Sequence, residues 1–380
     1  MKIIVSKTAI EEAVKHLGRV ISQKVALPVL SNIYCQVSTE TNTMRMVSSD
    51  SEVWLDFEVA LEECDCSGEF CVPAKRMADA LAAISEQPIT ITTNDADNSL
   101  TITHATGETT FPYSDSGEFP LPIANYDTTP TEIPADILRD GINNVIFAVA
   151  NDPLRPVMNC VHLEVMKRAT DIVASNGHNL MRNRNVFAEE QTPFDLNIQA
   201  KVSSILARLM KNYGEEDSIA ITKNAEQAEF KYARWKLTYR LLDYKYPLYK
   251  AVIPKECANH AIVYPLALIN SVKRVAPFAN DSSNMIRLEF KPESITVSGE
   301  DYDFSVSASD TIEAECDVKK TMTIGLKASS LLTIVNKMVC SKLKLSFNDP
   351  SRPVIFEDAN QDSTTNGGLL GLAMPMIIND

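Results

Sequence analysis

The sequence contains no long apolar segment. Nowhere in its 380 residues do apolar side chains approach the roughly 18 uninterrupted positions that a membrane-spanning helix needs. The N-terminal stretch MKIIVSKTAIEE becomes charged before the apolar region of a signal peptide develops. We therefore expect a cytoplasmic protein without a membrane partner. Because 45% of its residues are hydrophobic, the chain can bury a core in each of two or three domains.

Spacings typical of metal sites and catalytic centres are also scarce. Among the eight cysteines only Cys64 and Cys66 lie close together, so we expect reduced thiols. The five histidines show no metal-ligand spacing. Gly177-His178 resembles a catalytic loop, but one histidine without a placed nucleophile makes no triad. We predict no metal, no cofactor and no enzymatic activity.

Acidic residues outnumber basic residues, 50 to 36. The formal net charge is −14, whereas a protein that binds phosphates usually shows a basic surface. This balance argues against nucleic acid as a partner unless the positive charges are concentrated on one face.

Internal repetition is the strongest signal in the chain. An apolar strand end, a lysine and a helical segment recur around Lys75, Lys201 and Lys327, which are 126 residues apart. An apolar-Pro-apolar step recurs at Pro120, Pro247 and Pro375. Two independent registers with nearly the same period indicate three repeats, and a shorter match, Ala150-Asn151-Asp152 with Ala279-Asn280-Asp281, agrees with them.

Each repeat contains two amphipathic helical segments and several alternating, strand-like segments. The helical segments are residues 8–20, 75–84, 137–150, 201–212, 266–278 and 327–340. Strand-like alternation is clearest in residues 89–93, 100–104 and 295–300. The fold class predicted for each repeat is α+β, with two helices packed on an antiparallel sheet.

The positive charges are concentrated in these helical segments. All of them except the segment near residues 136–150 have a positive net charge, so the remainder of the chain is strongly acidic. If equivalent helices line one surface, that surface attracts DNA phosphates without reading bases, while the acidic exterior repels DNA. An ordinary solvated helix face is the alternative explanation for any single segment.

Five motifs, in order, resemble the β subunit of bacterial DNA polymerase III, a sliding clamp, over nearly the whole chain. They are Ala26–Asn32 (ALPVLSN), Val72–Lys75 (VPAK), Val173–Leu180 (VASNGHNL), Tyr246–Lys255 (YPLYKAVIPK) and Met374–Met376 (MPM). The resemblance implies clamp domains at 1–125, 126–254 and 255–380. It also implies a head-to-tail homodimer that closes a ring around duplex DNA. Its expected protein partners are the polymerase III catalytic subunit, the clamp loader and other proteins with clamp-binding motifs.

The resemblance implies three sets of site residues. The partner-peptide groove between the second and third domains would consist of Met158, Ser175, Gly177, His178, Leu180, Pro247, Val252, Leu372, Met374, Pro375 and Met376. Contacts to DNA would come from Lys24, Arg155 and Lys201, together with Arg208 and Lys211 on the same helical segment as Lys201. The subunit interface would join the edge strand 109–113, with Phe111 and Tyr113, to Phe278 of the second subunit.

Two positions depart from the family pattern. Asn179 follows Gly-His, and Ile377 follows Met-Pro-Met, where the family usually has arginine. Arg182 is a candidate to replace the first arginine. We expect the groove to persist with an altered polar rim.

Two other functions remain open at this stage. A repeat-built protein-interaction scaffold without DNA would explain the repeats, and an enzyme would explain Gly177-His178. Neither explains the positive charge of the helical segments.

Overall fold

The computed structural model describes residues 1–22, 27–122, 129–214, 216–361 and 367–378. They form two compact units. The first contains Met1–Ala135 and Arg208–Asp243, and the second contains Asp136–Ala207 and Tyr244–Asp380. The expected boundary at residue 125 lies outside the described residues. Among the residues that are described, no helix is long and apolar enough to cross a membrane.

A common order of elements occurs three times along the chain, as the spacing of the motifs predicts, and the first and third repeats each add one short strand. The first repeat comprises β1 (Lys2–Ser6), α1 (Lys7–Leu17), β2 (Asn32–Ser38), β3 (Thr43–Ser49), β4 (Val53–Ala60), β5 (Glu63–Cys64), β6 (Gly68–Pro73), α2 (Ala74–Ala82), β7 (Pro88–Asn94), β8 (Ser99–His104) and β9 (Gly107–Pro112). The second comprises β10 (Thr131–Pro134), α3 (Ala135–Val145), β11 (Cys160–Val165), β12 (Ala169–Ser175), β13 (Asn179–Val186), β14 (Phe194–Gln199), α4 (Ala200–Leu209), β15 (Ser218–Lys223), β16 (Gln227–Tyr232) and β17 (Trp235–Arg240). The third comprises β18 (Asn259–Val263), α5 (Pro265–Val275), β19 (Met285–Lys291), β20 (Ser294–Asp301), β21 (Val306–Glu313), β22 (Glu315–Asp317), β23 (Met322–Lys327), α6 (Ala328–Lys337), β24 (Leu343–Phe347), β25 (Val354–Asp358) and β26 (Gly368–Ala373).

All strand pairs are antiparallel and form two sheets in each unit. The first unit has a five-stranded sheet in the order β5-β1-β7-β8-β9 and an eight-stranded sheet in the order β10-β15-β16-β17-β4-β3-β2-β6. The second unit has a nine-stranded sheet in the order β14-β11-β12-β13-β26-β25-β24-β18-β22 and a four-stranded sheet in the order β21-β20-β19-β23. The predicted α+β class with two helices per repeat is confirmed.

Strand pairing joins successive repeats into continuous sheets. The last strand of the second repeat, β17, pairs with the fourth strand of the first, β4, with Leu237 opposite Leu55. The last strand of the third repeat, β26, pairs in the same way with β13, the fourth strand of the second, with Leu180 opposite Leu372. The corresponding strands β9 and β21 each lie at one end of a sheet.

The helices are shorter than the apolar periodicity predicts. The predicted segments 137–150 and 266–278 continue through 3₁₀ turns at Ile146–Ala148 and Ala276–Phe278. Pro277 has no amide hydrogen to donate to the preceding turn, so α5 ends before it. Periodicity alone does not distinguish such a turn from α-helix, because the apolar side chains continue on the same face.

Gly371 shows how tightly β26 packs in the second unit. A Cβ atom at this position would lie 2.5 Å from Ile334 Cγ2 on α6 and 3.1 Å from Met338 Cε. We expect Gly371→Val to lower the free energy of unfolding by about 1–3 kcal/mol, because the added methyl groups overpack this layer. Urea denaturation measures the change.

Gly214→Ala is the control, because a Cβ atom there would meet nothing within 4 Å. It should change the free energy of unfolding by less than about 0.5 kcal/mol. Equal stability of the two variants would contradict the packing described for Gly371.

Candidate functional site

An apolar surface lies where β13 pairs with β26 in the second unit. Leu180 and Leu372 are opposite each other in the register and belong to one buried cluster. The other members of that cluster are Val173, Tyr249, Ile355 and Leu370, with Tyr246 and Ile253 packed against it. Of these, only Leu180 and Leu372 belong to the predicted set. Two of the family motifs contain others of these residues: Val173–Leu180 contains Val173, and Tyr246–Lys255 contains Tyr246, Tyr249 and Ile253.

Exposed apolar side chains surround this cluster. Val252 is 51% exposed, Met374 is 39% exposed and Leu248, beside Pro247, is 75% exposed. The backbone amide of Met374 donates to His178 O at 2.8 Å, which holds the end of β26 against the turn before β13. We call the buried cluster with Leu248, Val252 and Met374 the β13–β26 surface.

The turn between β12 and β13 is built by side chains that cap its backbone. Ser175 Oγ donates to Asn179 O at 2.8 Å and accepts from Gly177 N at 3.2 Å. The amides of His178 and Asn179 both donate to Asn176 Oδ1. Gly177 has φ +90°, a backbone conformation that favours glycine. This turn leaves His178 exposed beside Met374.

Arg155 lies beside this turn. A Cβ atom at Gly177 would be 3.5 Å from an Nη atom of Arg155. The guanidinium donates to Asp152 Oδ2 at 2.8 Å, and this hydrogen bond lowers the pKa of Asp152. Met158, in the 3₁₀ turn Pro156–Asn159, is buried. The structure therefore groups Arg155 with the predicted peptide-binding residues.

An ionic network lies beneath the β13–β26 surface. The Tyr249 hydroxyl donates to Asp171 Oδ2 at 2.7 Å and is also within hydrogen-bonding distance of Glu164. Arg184 donates two hydrogen bonds of 2.7 Å to Asp171, and Lys250 donates one to Glu164. Burial, followed by the charge of Asp171, raises the pKa of Tyr249. The hydroxyl therefore remains a donor that fixes the segment between Pro247 and Val252.

The two departures from the family pattern have different environments. Asn179 Nδ2 donates to Ser330 Oγ on α6 at 2.9 Å, a contact that sequence reasoning missed. Ile377 is 86% exposed. The hypothesis that Arg182 replaces a rim arginine is wrong, because its side chain is only 5% exposed and burial lowers its pKa. Its position on β13 directs it into the same layer as Leu180.

Pro375 and Met376 line a second cleft. Met376 N donates to Gly325 O at 2.8 Å, which fixes the C-terminal segment to β23. The cleft has a volume of about 1090 Å³ and includes Arg287, Glu289 and Thr323 of the four-stranded sheet. The predicted peptide-binding residues therefore lie in two adjoining areas, the β13–β26 surface and this cleft. Met374 connects the two areas along the chain.

Three of the predicted DNA-binding cations are exposed at or near α4. Lys201 and Arg208 are two turns apart on this helix, and Lys211 follows its end. Arg19, which follows α1, lies close enough to Arg208 that this charge contributes, after burial, to a lowered pKa of Arg19. The ends of two predicted basic helices thus come together in the first unit. Lys24 lies outside the described residues.

The residues predicted for the subunit interface differ in exposure. The strand that carries Phe111 is β9, an edge strand as predicted. Phe111 itself is only 7% exposed, whereas Phe278 is 41% exposed. The Tyr113 hydroxyl donates to Asp95 at 2.6 Å, which raises the pKa of Tyr113 to about 12. Of the two predicted apolar anchors, only Phe278 is exposed.

The network beneath the β13–β26 surface generates a prediction about Tyr249. Tyr249→Phe removes a hydroxyl that donates to the fully buried Asp171. We expect the free energy of unfolding to fall by about 1–3 kcal/mol, since a buried carboxylate loses a hydrogen bond. Chemical denaturation at neutral pH measures the loss.

Tyr244→Phe is the matched control, because Tyr244 is 59% exposed. It should leave the free energy of unfolding within about 0.5 kcal/mol of the parent. A Tyr249→Phe protein as stable as this control would show that the hydroxyl contributes nothing to the fold.

Comparisons with known proteins agree with this architecture. Three family models match, described as the N-terminal, central and C-terminal domains of the DNA polymerase III beta subunit, over residues 1–127, 132–248 and 250–372. The beta sliding clamp of Synechococcus elongatus is 23% identical over 363 residues, covering 93% of this chain and 95% of that protein. The beta sliding clamp of Haemophilus influenzae is 20% identical, covering 96% and 97%.

Solved structures share the fold at low sequence identity. The DNA polymerase III subunit beta of Pseudomonas aeruginosa superposes with a TM-score of 0.91 at 21% identity. The DNA polymerase III beta subunit of Thermotoga maritima superposes with a TM-score of 0.90 at 18% identity. Both alignments cover 100% of each chain. With three matched domain models in order along one chain, this protein belongs to the DNA polymerase III beta subunit family.

Proposed function

We propose that this chain is a DNA sliding clamp that closes around duplex DNA as a head-to-tail homodimer. It is a non-catalytic processivity subunit. Through the β13–β26 surface it tethers the polymerase III catalytic subunit, the clamp loader and other proteins that carry clamp-binding motifs. Its domains are residues 1–125, 126–254 and 255–380.

The observation that carries this proposal is the way in which strands join the repeats. Twice, the last strand of one repeat completes the sheet of the preceding repeat, as β17–β4 and as β26–β13. The equivalent strands β9 and β21 remain at sheet ends. Pairing β9 of each chain with β21 of a second chain repeats the same junction and satisfies both edges. Two chains with three repeats each then close a ring.

The β13–β26 surface suits short linear motifs of varied sequence. Its buried leucines and Tyr249 pack into one apolar cluster. The partly exposed Met374 and Val252 beside this cluster offer apolar contacts to a peptide. Methionine adapts its shape to different side chains, which favours a site with several partners. Arg155 and His178 beside Gly177 supply a polar rim.

Sequence-independent binding of DNA is supported by the exposed cations at and near α4. Lys201, Arg208 and Lys211 are exposed, and Arg19 lies close to Arg208. Such charges attract DNA phosphates whatever the base sequence. The chain has a net charge of −14, so its remaining, acidic part repels DNA. A protein-interaction scaffold without DNA would not need this separation of charge.

The DNA proposal predicts a change in salt dependence. Replacing Lys201, Arg208 and Lys211 by glutamine should weaken binding to a DNA duplex. It should also reduce the slope of log K against log salt by about 0.9 for each phosphate that is no longer neutralised, because fewer counterions are released. Fluorescence anisotropy over a range of salt concentrations gives the slope.

A variant with the exposed Lys231, Lys319 and Lys320 replaced by glutamine has the same net charge and is the control. It should keep the parental slope. If both triple variants change the slope equally, α4 does not face DNA and only the total charge matters.

The partner-binding proposal predicts that Met374→Ala separates binding from folding. Met374 is 39% exposed, so the fold should lose little, while a bound peptide would pack less well against the shorter side chain. We expect a labelled peptide that carries a clamp-binding motif to bind about tenfold more weakly. Peptide titration and thermal unfolding are measured side by side.

Val339→Ala is the matched control, because Val339 is 98% exposed on the same unit. It should bind the peptide as tightly as the parent. Unchanged peptide affinity of Met374→Ala would overturn the assignment of this surface, and a large loss of stability would identify Met374 as a core residue.

A further inference from the structure

The junction between β4 and β17 in the first unit has the same register as the junction between β13 and β26 in the second. Trp54 is opposite Thr238 in the first unit, and Leu180 is opposite Leu372 in the second. Trp54 and Leu180 are each the second residue of a strand of 8 residues. Because both junctions join a fourth strand to the last strand of the following repeat, these residues occupy equivalent positions.

The turns that precede β4 and β13 are built alike. Asp50 Oδ1 accepts from two backbone amides within the first turn, as Asn176 Oδ1 does within the second. The residue that follows has a positive φ in both turns, +81° at Ser51 and +90° at Gly177. The backbone that supports the β13–β26 surface is therefore present twice in the chain.

The end of the last strand is attached to this turn by the same hydrogen bond at both junctions. Arg240 N donates to Glu52 O at 2.9 Å, and Met374 N donates to His178 O at 2.8 Å. Arg240 therefore has the position that Met374 has at the β13–β26 surface. Both side chains are exposed, but only that of Met374 is apolar.

An aromatic pair packs beside each junction. The ring centroids of Tyr34 and Phe119 are 5.6 Å apart at the first, and those of His162 and Tyr246 are 4.5 Å apart at the second. Phe119 and Tyr246 each precede the proline of the apolar-Pro-apolar step. The chain between successive repeats therefore packs against both junctions in the same way.

Trp54 distinguishes the first junction from the second. Its side chain is 4% exposed, and the indole Nε1 donates to Pro120 O at 2.8 Å. The indole therefore spans the distance from β4 to the chain between the repeats, whereas Leu180 is smaller and has no group that could make this hydrogen bond. The guanidinium carbon of Arg240 lies 6.0 Å from the centroid of the indole, a cation–π contact that places a charge at this surface.

We propose that the β4–β17 junction is a second copy of the partner site, which the chain closes with its own Trp54. The indole fills the space in which the β13–β26 surface would take an apolar side chain of a partner peptide. Thr238 and Arg240 add polar groups where the open site has Leu372 and Met374. These three residues of the first unit therefore confine partner motifs to one site on each chain. The inference rests on the proposed function of the β13–β26 surface.

The test transfers the three side chains of the open site to the closed one. Trp54→Leu, Thr238→Leu and Arg240→Met are combined in the full-length chain, which is titrated calorimetrically with a peptide that carries a clamp-binding motif. We expect the number of bound peptides per chain to double relative to the parent. The titration extends to about a hundred times the parental dissociation constant, so that a second site of about tenfold lower affinity is also filled.

Arg240→Met alone is the control, because it removes the charge and leaves the indole of Trp54 in place. It should bind as many peptides per chain as the parent. A doubling by Arg240→Met alone would overturn the role of Trp54. If the folded triple variant binds no more peptide than the parent, the first junction is not a closed copy of the partner site and the inference is refuted.

The reverse exchange tests the inference without opening the first junction. Replacing a buried indole by leucine removes packing, so thermal unfolding of every variant verifies the fold. Leu180→Trp places an indole in the open site and should weaken peptide binding by about tenfold or more, since the first junction already holds a tryptophan on the same backbone. Leu180→Met, which conserves volume, is the control and should bind like the parent. Parental affinity of the folded Leu180→Trp chain would contradict the inference.

Other outcomes separate this inference from the proposed function. A parent that binds no peptide with a clamp-binding motif refutes the proposed function of the β13–β26 surface. Met374→Arg, which places a charge in the open site, should leave no binding at either junction. If half of the bound peptide remains in this variant, the first junction is open in the parent, and only the inference about Trp54 fails.

Discussion

The structure depends on the pairing of strand edges between repeats. A single repeat leaves one edge of its fourth strand and one edge of its last strand unpaired, and an exposed edge of this kind pairs readily with another strand. Within the chain, β4 pairs with β17 and β13 pairs with β26, which converts separate sheets into continuous ones of eight and nine strands. The same constraint acts on β9 and β21 and gives the proposed homodimer its direction.

The β13–β26 surface, which is the proposed partner site, forms at one of these junctions. Where β13 meets β26, leucines from the second and third repeats come together over Tyr249. The two strands supply the buried leucines, and the segment from Pro247 to Val252, between the second and third repeats, lies beside them. Tyr249 links that segment to the buried carboxylate of Asp171. Arg184 also donates two hydrogen bonds to this carboxylate. In the proposed function, binding and fold therefore share residues, whereas the partly exposed Met374 would serve mainly binding.

The exposed cations of the proposed DNA contact and the exposed apolar side chain of the proposed subunit contact lie on different elements of this protein. The exposed cations at and near α4 are suited to phosphates, while the exposed Phe278 and the free edges of β9 and β21 are available for the proposed contact with a second chain. Electrostatic attraction weakens as salt rises, but apolar burial does not. In the proposed homodimer, the clamp would slide on DNA through weak, screened contacts while its subunits stay joined.

The sequence alone determined the threefold repeat, the α+β class and the six helices, because the apolar period and the evenly spaced lysines are local properties. It also pointed to Leu180, Leu372 and Met374 through motifs. Other features depended on contacts between distant positions. The link from Asn179 to Ser330, the burial of Arg182 and the position of Arg155 beside Gly177 arise from strand register and packing. No local pattern encodes which exposed face a neighbouring repeat will cover, so only the tertiary structure decided these points.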